Sequence, residues 1–284
     1  MLNRSLKSVF AITLAMVVTL MHAMPAFAQS LLRDTEIEET MRDYTTPILR
    51  AAGLSPSSVD IYLVNDPSLN AFVTRGQNIF LHSGIITQST TPNQLKGVIA
   101  HEAGHIAGGH LVRSDYGSRS AYGAILIAAG IGLAAILAGE AEAGALVLGG
   151  SQQFGAIEYL AYSRVNESAA DQYAAQYMEA TGQSAQGLID FFDRFRAQEV
   201  LSNARRFPYF RGHPLSSDRI DKLRERVEES PYTEVTDTED EQHRLEMAKA
   251  KLRGFLEGPQ VVFSKYPPED QSKPARYALS LIHI

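Results

Sequence analysis

The chain has no cysteine among its 284 residues. That excludes disulfides, a lipid anchor on a cysteine thiol and thiolate metal ligands, so any metal site has to use His, Asp and Glu. It also lacks an excess of basic residues: 26 Lys and Arg stand against 32 Asp and Glu, a net charge of −6. A nucleic-acid partner is therefore not expected, because the overall charge opposes phosphate. Hydrophobic residues make up 45% of the chain, which excludes a disordered polymer and allows a core for one large domain or one domain with an appendage.

What is present starts with a leader. Arg4 and Lys7 precede an uncharged apolar run ending at Met21, and Ala26-Phe27-Ala28 follows as a small-residue cleavage site. The run is short for a membrane span, so residues 1–28 read as a cleaved secretory signal peptide and not as an anchor. Its removal takes away two basic residues, leaving 24 against 32 acidic and a net charge of −8. Export of a cysteine-free chain with this leader points to a bacterial periplasm.

Short extended segments follow at 61–64, 71–74 and 78–82, the last two joined as a hairpin by Arg75-Gly76-Gln77. Thr91 can then cap a helix, Pro92 suits its first position and Gln94 can complete a capping box, so a helix is expected from residue 92. It carries the stretch GVIAHEAGHIAGGH, residues 97–110.

His101 and His105 are four apart, so on a helix their rings lie on one face and can converge on one ion. Glu102 stands beside them and not among them, where a general base belongs. The pattern H-E-x-x-H predicts a Zn²⁺ site in which the ion lowers the pKa of water towards about 7 and Glu102 takes the proton. Apolar Val98, Ile99, Ala103, Ile106 and Ala107 argue that this helix is buried. His110 follows nine residues after His101, which on a continuing helix is about 900° of turn and leaves it on the opposite face, so it is expected to be a polar helix-end histidine or one that supports a ligand from outside, and not a ligand itself.

The expected third ligand is Glu167 in NESAADQYAA, with Asp171 one turn later to accept the other ring N–H of a ligand histidine. Ala169, Ala170, Ala174 and Ala175 let two helices approach closely. Between the two motifs runs an uncharged apolar segment, residues 121–139. A single membrane crossing there would put His105 and Glu167 on opposite sides, and residues 143–150 are too short for a return span. Arg113 and Arg119 would also sit on the exported side, against the positive-inside tendency. Residues 121–150 are therefore expected to form a helical hairpin covering the cleft, either buried against the domain or in peripheral contact with a membrane.

With these motifs in hand, the chain resembles the gluzincin zinc peptidases of the CaaX prenyl protease and heat-shock protease X type, most of all their periplasmic beta-barrel assembly-enhancing branch. The matching blocks are NAFVTRGQNIFLHSGIITQ, TPNQLKGVIAHEAGHIAGGH, NESAADQYA and GHPLSSDRI. The resemblance implies one zinc per chain at His101, His105 and Glu167, Glu102 as base, and polypeptide substrates, namely outer-membrane proteins and their assembly machinery. It adds His213 as an oxyanion donor, a reversible fourth ligand or a loop histidine with neither role, and Arg219 as a partner of a site carboxylate. It also likens 78–82 to an edge strand that lays out substrate, with Asn70 and Ala71 at its rim and His82 structural.

The expected architecture is α+β and mostly α-helical, with a small antiparallel edge sheet: a metallopeptidase domain at 29–230, an acidic linker at 231–242 and a partial helical-repeat region at 243–284. That last region holds at most about one helix pair and is expected to be truncated. The rival reading is a chaperone-like adaptor that keeps the fold and rarely cuts; an intact Glu102 favours the enzyme. A multi-span prenyl-protein protease would need spans that are missing here.

Overall fold

The computed structural model describes residues 30–74, 76–201 and 212–282. The leader expected at 1–28, and Arg75 of the hairpin loop, lie outside them. The described residues from Leu31 onward form one unit.

Four short strands, β1 Leu31–Leu32, β2 Asp60–Val64, β3 Ala71–Thr74 and β4 Asn78–His82, form one sheet in the order β1-β2-β4-β3. β3 and β4 are the expected antiparallel hairpin, turning through Gly76 and Gln77, both with positive φ (92° and 62°). β2 and β4, however, pair in parallel from Asp60↔Asn78 to Val64↔His82, so the sheet is mixed where an antiparallel one was expected. This places β4 inside the sheet and makes β3 the edge, which corrects the assignment of 78–82 as an edge strand. The connection after β2 passes over the first turn of α2 (Ser83–Gln88) so closely that a Cβ on Gly84 would stand 2.2 Å from Pro67 O.

α1 spans Thr35–Ala51, capped by Asp34, whose side chain accepts from Ile37 N–H. α3 spans Pro92–Ala107, with Thr91 accepting from Gln94 N–H. Gln94 returns its side-chain oxygen to Thr90 N–H at 2.9 Å, one residue ahead of the expected box partner. α3 is the axis of the fold: Leu95, Val98, Ile99, Ala100 and Ala103 are fully buried. Around it pack α1, β3, α5 (Ala141–Ala180) and α6 (Gln186–Leu201). Phe191, Phe192, Ile37 and Met41 fill the spaces between, each contributing about 1.5–3 kcal/mol by leaving water.

α4 (His110–Leu137) and α5 form a long antiparallel hairpin turning at Gly139, φ +97°. The two helices touch at Gly132 and Gly144, where a Cβ on Gly144 would lie 2.4 Å from Gly132 O. Among the described residues, Ser118–Leu137 is the one helical stretch long and apolar enough to cross a membrane, and only 11% of it is buried. The hairpin therefore exposes its apolar surface, contrary to a hairpin buried against the domain. α5 ends at Ala180 with Gly182 at φ +71° and the paired bonds Gln183 N to Met178 O and Gly182 N to Glu179 O, a Schellman stop.

α7 (Ser217–Glu228) packs on α5 and α6, and α8 (Glu239–Leu256) packs on α1, α2 and α3. α8 inserts Leu245, Ala248 and Leu252 into the main core, and α9 (Pro259–Lys265) and α10 (Lys273–Leu281) close a second cluster around Ala250, Val262 and Tyr266. The acidic segment before α8 is tied to α3: Asp237 accepts Asn93 N–H at 2.7 Å and pairs with buried Lys96, which also meets Glu241.

Candidate metal centre

α3 supplies His101, Glu102 and His105, all buried. α5 supplies Glu167 and Asp171, and the loop before α7 supplies His213. The approach of the two helices depends on Gly104, where a Cβ would meet Ala170 O at 3.0 Å. Ligand atoms of His101, His105, Glu167 and His213 lie within 4.8 Å of one another. His101 Nε2 is 3.1 Å from His105 Nε2 and 3.4 Å from Glu167 Oε2, and Glu167 Oε1 is 3.4 Å from His105 Nε2.

Asp171 Oδ1 lies 2.9 Å from His101 Nδ1, which sets the ring proton there and turns an Nε2 lone pair into the cluster. Arg219 clamps Asp171 through two bonds of 2.7 and 2.8 Å, donates to Pro214 O, reaches Glu167 at 3.2 Å and lies over the Phe192 ring. A guanidinium with this many partners holds the carboxylates and the His213 loop in one frame. His213 is buried in the cluster: its Nδ1 stands 3.1 Å from Glu167 Oε2 and 3.2 Å from His101 Nε2, and its Nε2 3.4 Å from Glu102 Oε1.

The electrostatics are those of a site short of positive charge. Burial would raise Glu167, but the His213 and His101 rings hold it well below the usual carboxylate range. Burial would lower His101, but Asp171 and Glu167 bring it up to about 9. Burial, then the charge of His101, pushes His105 well down. Glu102 is raised by burial, and neither of its oxygens has a hydrogen-bond partner among the described residues. Buried imidazole and carboxylate donors that converge on one point fit a divalent cation such as zinc.

On a continuing helix His110 would face away from His105, but the structure turns it towards that ring, as a neighbour of a ligand and not as a ligand. The helix does not continue: α3 stops at Ala107, Gly109 adopts φ +65°, and α4 starts afresh at His110. The restart places His110 Nδ1 3.0 Å from His105 Nδ1, though His110 is not one of the four converging donors. The Gly108-Gly109 pair was the readable sign that the helical count should stop.

A buried carboxylate without a hydrogen-bond partner among the described residues, beside four converging donors that could hold a cation and with the half-buried edge strand β3 packed on the same helix, is the arrangement of a metallopeptidase site. The chain belongs to peptidase family M48, whose family model matches residues 31–227. It is 31% identical over 206 residues to a Vibrio cholerae protein and 29% identical over 197 residues to an Escherichia coli one, both named as beta-barrel assembly-enhancing protease. These matches cover 72% and 68% of this chain but only 42% and 39% of the relatives, so the chain matches about two fifths of their length. The Escherichia coli metalloprotease YcaL is 27% identical over 178 residues, covering 61% of this chain and 63% of the relative.

Proposed function

We propose that the chain is an exported zinc metalloendopeptidase that cleaves misfolded or stalled outer-membrane proteins in the periplasm. The observation that carries the reading is Glu102, fully buried and without a hydrogen-bond partner among the described residues, beside His101, His105 and Glu167. One zinc per chain would be held by those three ligands. Such an ion supplies Lewis acidity, making water a competent nucleophile near neutral pH and polarising a peptide carbonyl. Glu102 takes the proton of the attacking water and passes it to the departing amine nitrogen. Asp171 and Arg219 keep His101 and Glu167 in register. The substrate strand adds to the outer side of β3, starting near Asn70 and Ala71.

His213 favours a resting state of this enzyme. Placed between Glu102 and Glu167, it would be a further residue holding the ion where substrate or water has to enter, and so would act as a latch that gives way to substrate. The names of the relatives support an outer-membrane substrate, and the exposed apolar hairpin supports peripheral contact of residues 121–150 with a membrane.

The test uses the full chain with an unfolded outer-membrane β-barrel protein and, in parallel, an unfolded soluble protein. Cleavage of the first in preference, abolished by chelation and restored by zinc, is expected. Equal cleavage of both contradicts the substrate reading, and cleavage untouched by chelation contradicts the metal.

A further inference from the structure

His110 has no part in the hydrolysis above, yet it is buried and touches a ligand ring. His105 directs Nε2 into the cluster, 3.1 Å from His101 Nε2 and 3.4 Å from Glu167 Oε1, which leaves Nδ1 on the far side. An imidazole that binds a metal through one nitrogen carries its proton on the other, and a buried N–H needs an acceptor. For His101 that acceptor is Asp171. At His105 Nδ1, in the corresponding place, stands His110 Nδ1 at 3.0 Å. Two ring nitrogens at that distance share one hydrogen.

We infer that His110 is a positioning residue of the metal centre: neutral and protonated on Nε2, it accepts the Nδ1–H of His105 and fixes that ligand's tautomer and orientation. The inference rests on the metal-site reading above. It has a structural consequence, because His110 is the first residue of α4 and so the base of the apolar hairpin. A Cβ on Gly108 would lie 2.5 Å from His110 Nε2 and 2.9 Å from Gly104 O, so glycine at 108 leaves the room that the His110 ring takes beside His105. The hairpin's other limb carries Glu167 and Asp171. Both limbs are thus anchored in the ligand set, and His105 is tied to the hairpin's base through His110 alone among the contacts described for its Nδ1.

The test is made on the full chain loaded with zinc and labelled with ¹⁵N-histidine. The spectrum should show His105 protonated on Nδ1, His110 unprotonated on Nδ1, and coupling across the hydrogen bond. Zinc affinity, measured by competition with a chelator, should fall about 10- to 100-fold in His110→Leu, which keeps bulk without an acceptor. In His110→Asn, whose side-chain oxygen can take the same proton, it should stay within about 3-fold of native. A proton on His110 Nδ1, or Leu and Asn variants that bind zinc alike, overturns the inference while leaving the metal site standing. If the variants do not fold, the spectrum of the native chain decides. A native chain that binds no zinc overturns the metal-site reading and this inference with it.

Discussion

Replacing Gly104 by alanine tests the helix contact on which the centre depends. The added Cβ would stand 3.0 Å from Ala170 O, 3.2 Å from Ala170 Cα and 3.2 Å from Tyr173 Cβ, all on α5. Ordinary carbon contacts settle near about 3.5–4.0 Å, so α5 has to move by roughly 0.5 Å. Overpacking of this kind costs about 1–3 kcal/mol, and alanine regains about 1 kcal/mol of helix propensity, leaving a net loss of roughly 0–2 kcal/mol. The functional effect should be larger than that, because the atoms that move lie next to Asp171 and one turn from Glu167, and functional groups tolerate only about 0.5 Å of error. A fall of about 10-fold or more in zinc affinity and in kcat/KM is expected. Gly97→Ala is the control: its Cβ would press on Leu188 at 2.9 Å, on α6, which carries no ligand. Chemical denaturation gives the stability of both, and chelator competition and peptide cleavage give the function. The reasoning is refuted if Gly104→Ala keeps native zinc affinity and rate, or if Gly97→Ala loses as much of either.

Further outcomes follow from other contacts. His213→Ala should raise the cleavage rate and loosen zinc, since the ring sits 3.1 Å from Glu167 and 3.4 Å from Glu102; a lower rate with unchanged zinc would make His213 a catalytic aid instead of a latch. Lys96→Met should cost about 3 kcal/mol near neutral pH, because Lys96 is buried, the side chain of Asp237 is only 9% exposed, and one charge loses its partner. That cost is pH-dependent in a defined sense. Burial raises Glu241, but its bond to Lys96 outweighs this and leaves the folded pKa below 4.5; its share of stability is present above 4.5 and lost as pH falls through the lowered value. Native and variant stabilities should therefore converge in acid, and a gap that widens would contradict the pairing. Leu126→Glu with Leu137→Glu changes side chains that are 72% and 88% exposed, so stability should shift by no more than about 0.5 kcal/mol per site while flotation with lipid vesicles falls sharply; unchanged flotation would remove the membrane contact.

Local chemistry was the legible part of this chain. A capped helix, two histidines one turn apart, and a carboxylate pair one turn apart are short-range patterns, and the structure brings His101, His105, Glu167 and Asp171 together with Arg219 clamped on Asp171. What was not legible depends on interruptions and on long-range partners. That His110 is no ligand is legible, but the face it presents is not, because helical counting does not hold across Gly108 and Gly109, where the backbone breaks and restarts. The strand order was missed because periodicity marks a strand but does not say which neighbour it takes, and β4 inserts between β2 and β3. The hairpin was readable as apolar and helical, but its exposure depends on what surrounds it, and composition carries no record of that.

The most direct test of the central claim is Glu102→Gln in the full chain, with zinc content and cleavage of an unfolded outer-membrane protein measured beside the native chain. Gln keeps the shape of the side chain and removes the base. The expected result is equal zinc, about one per chain, and a cleavage rate lower by about 10²- to 10⁴-fold. Equal cleavage by the two chains would contradict the account, as would zinc bound by both with cleavage by neither.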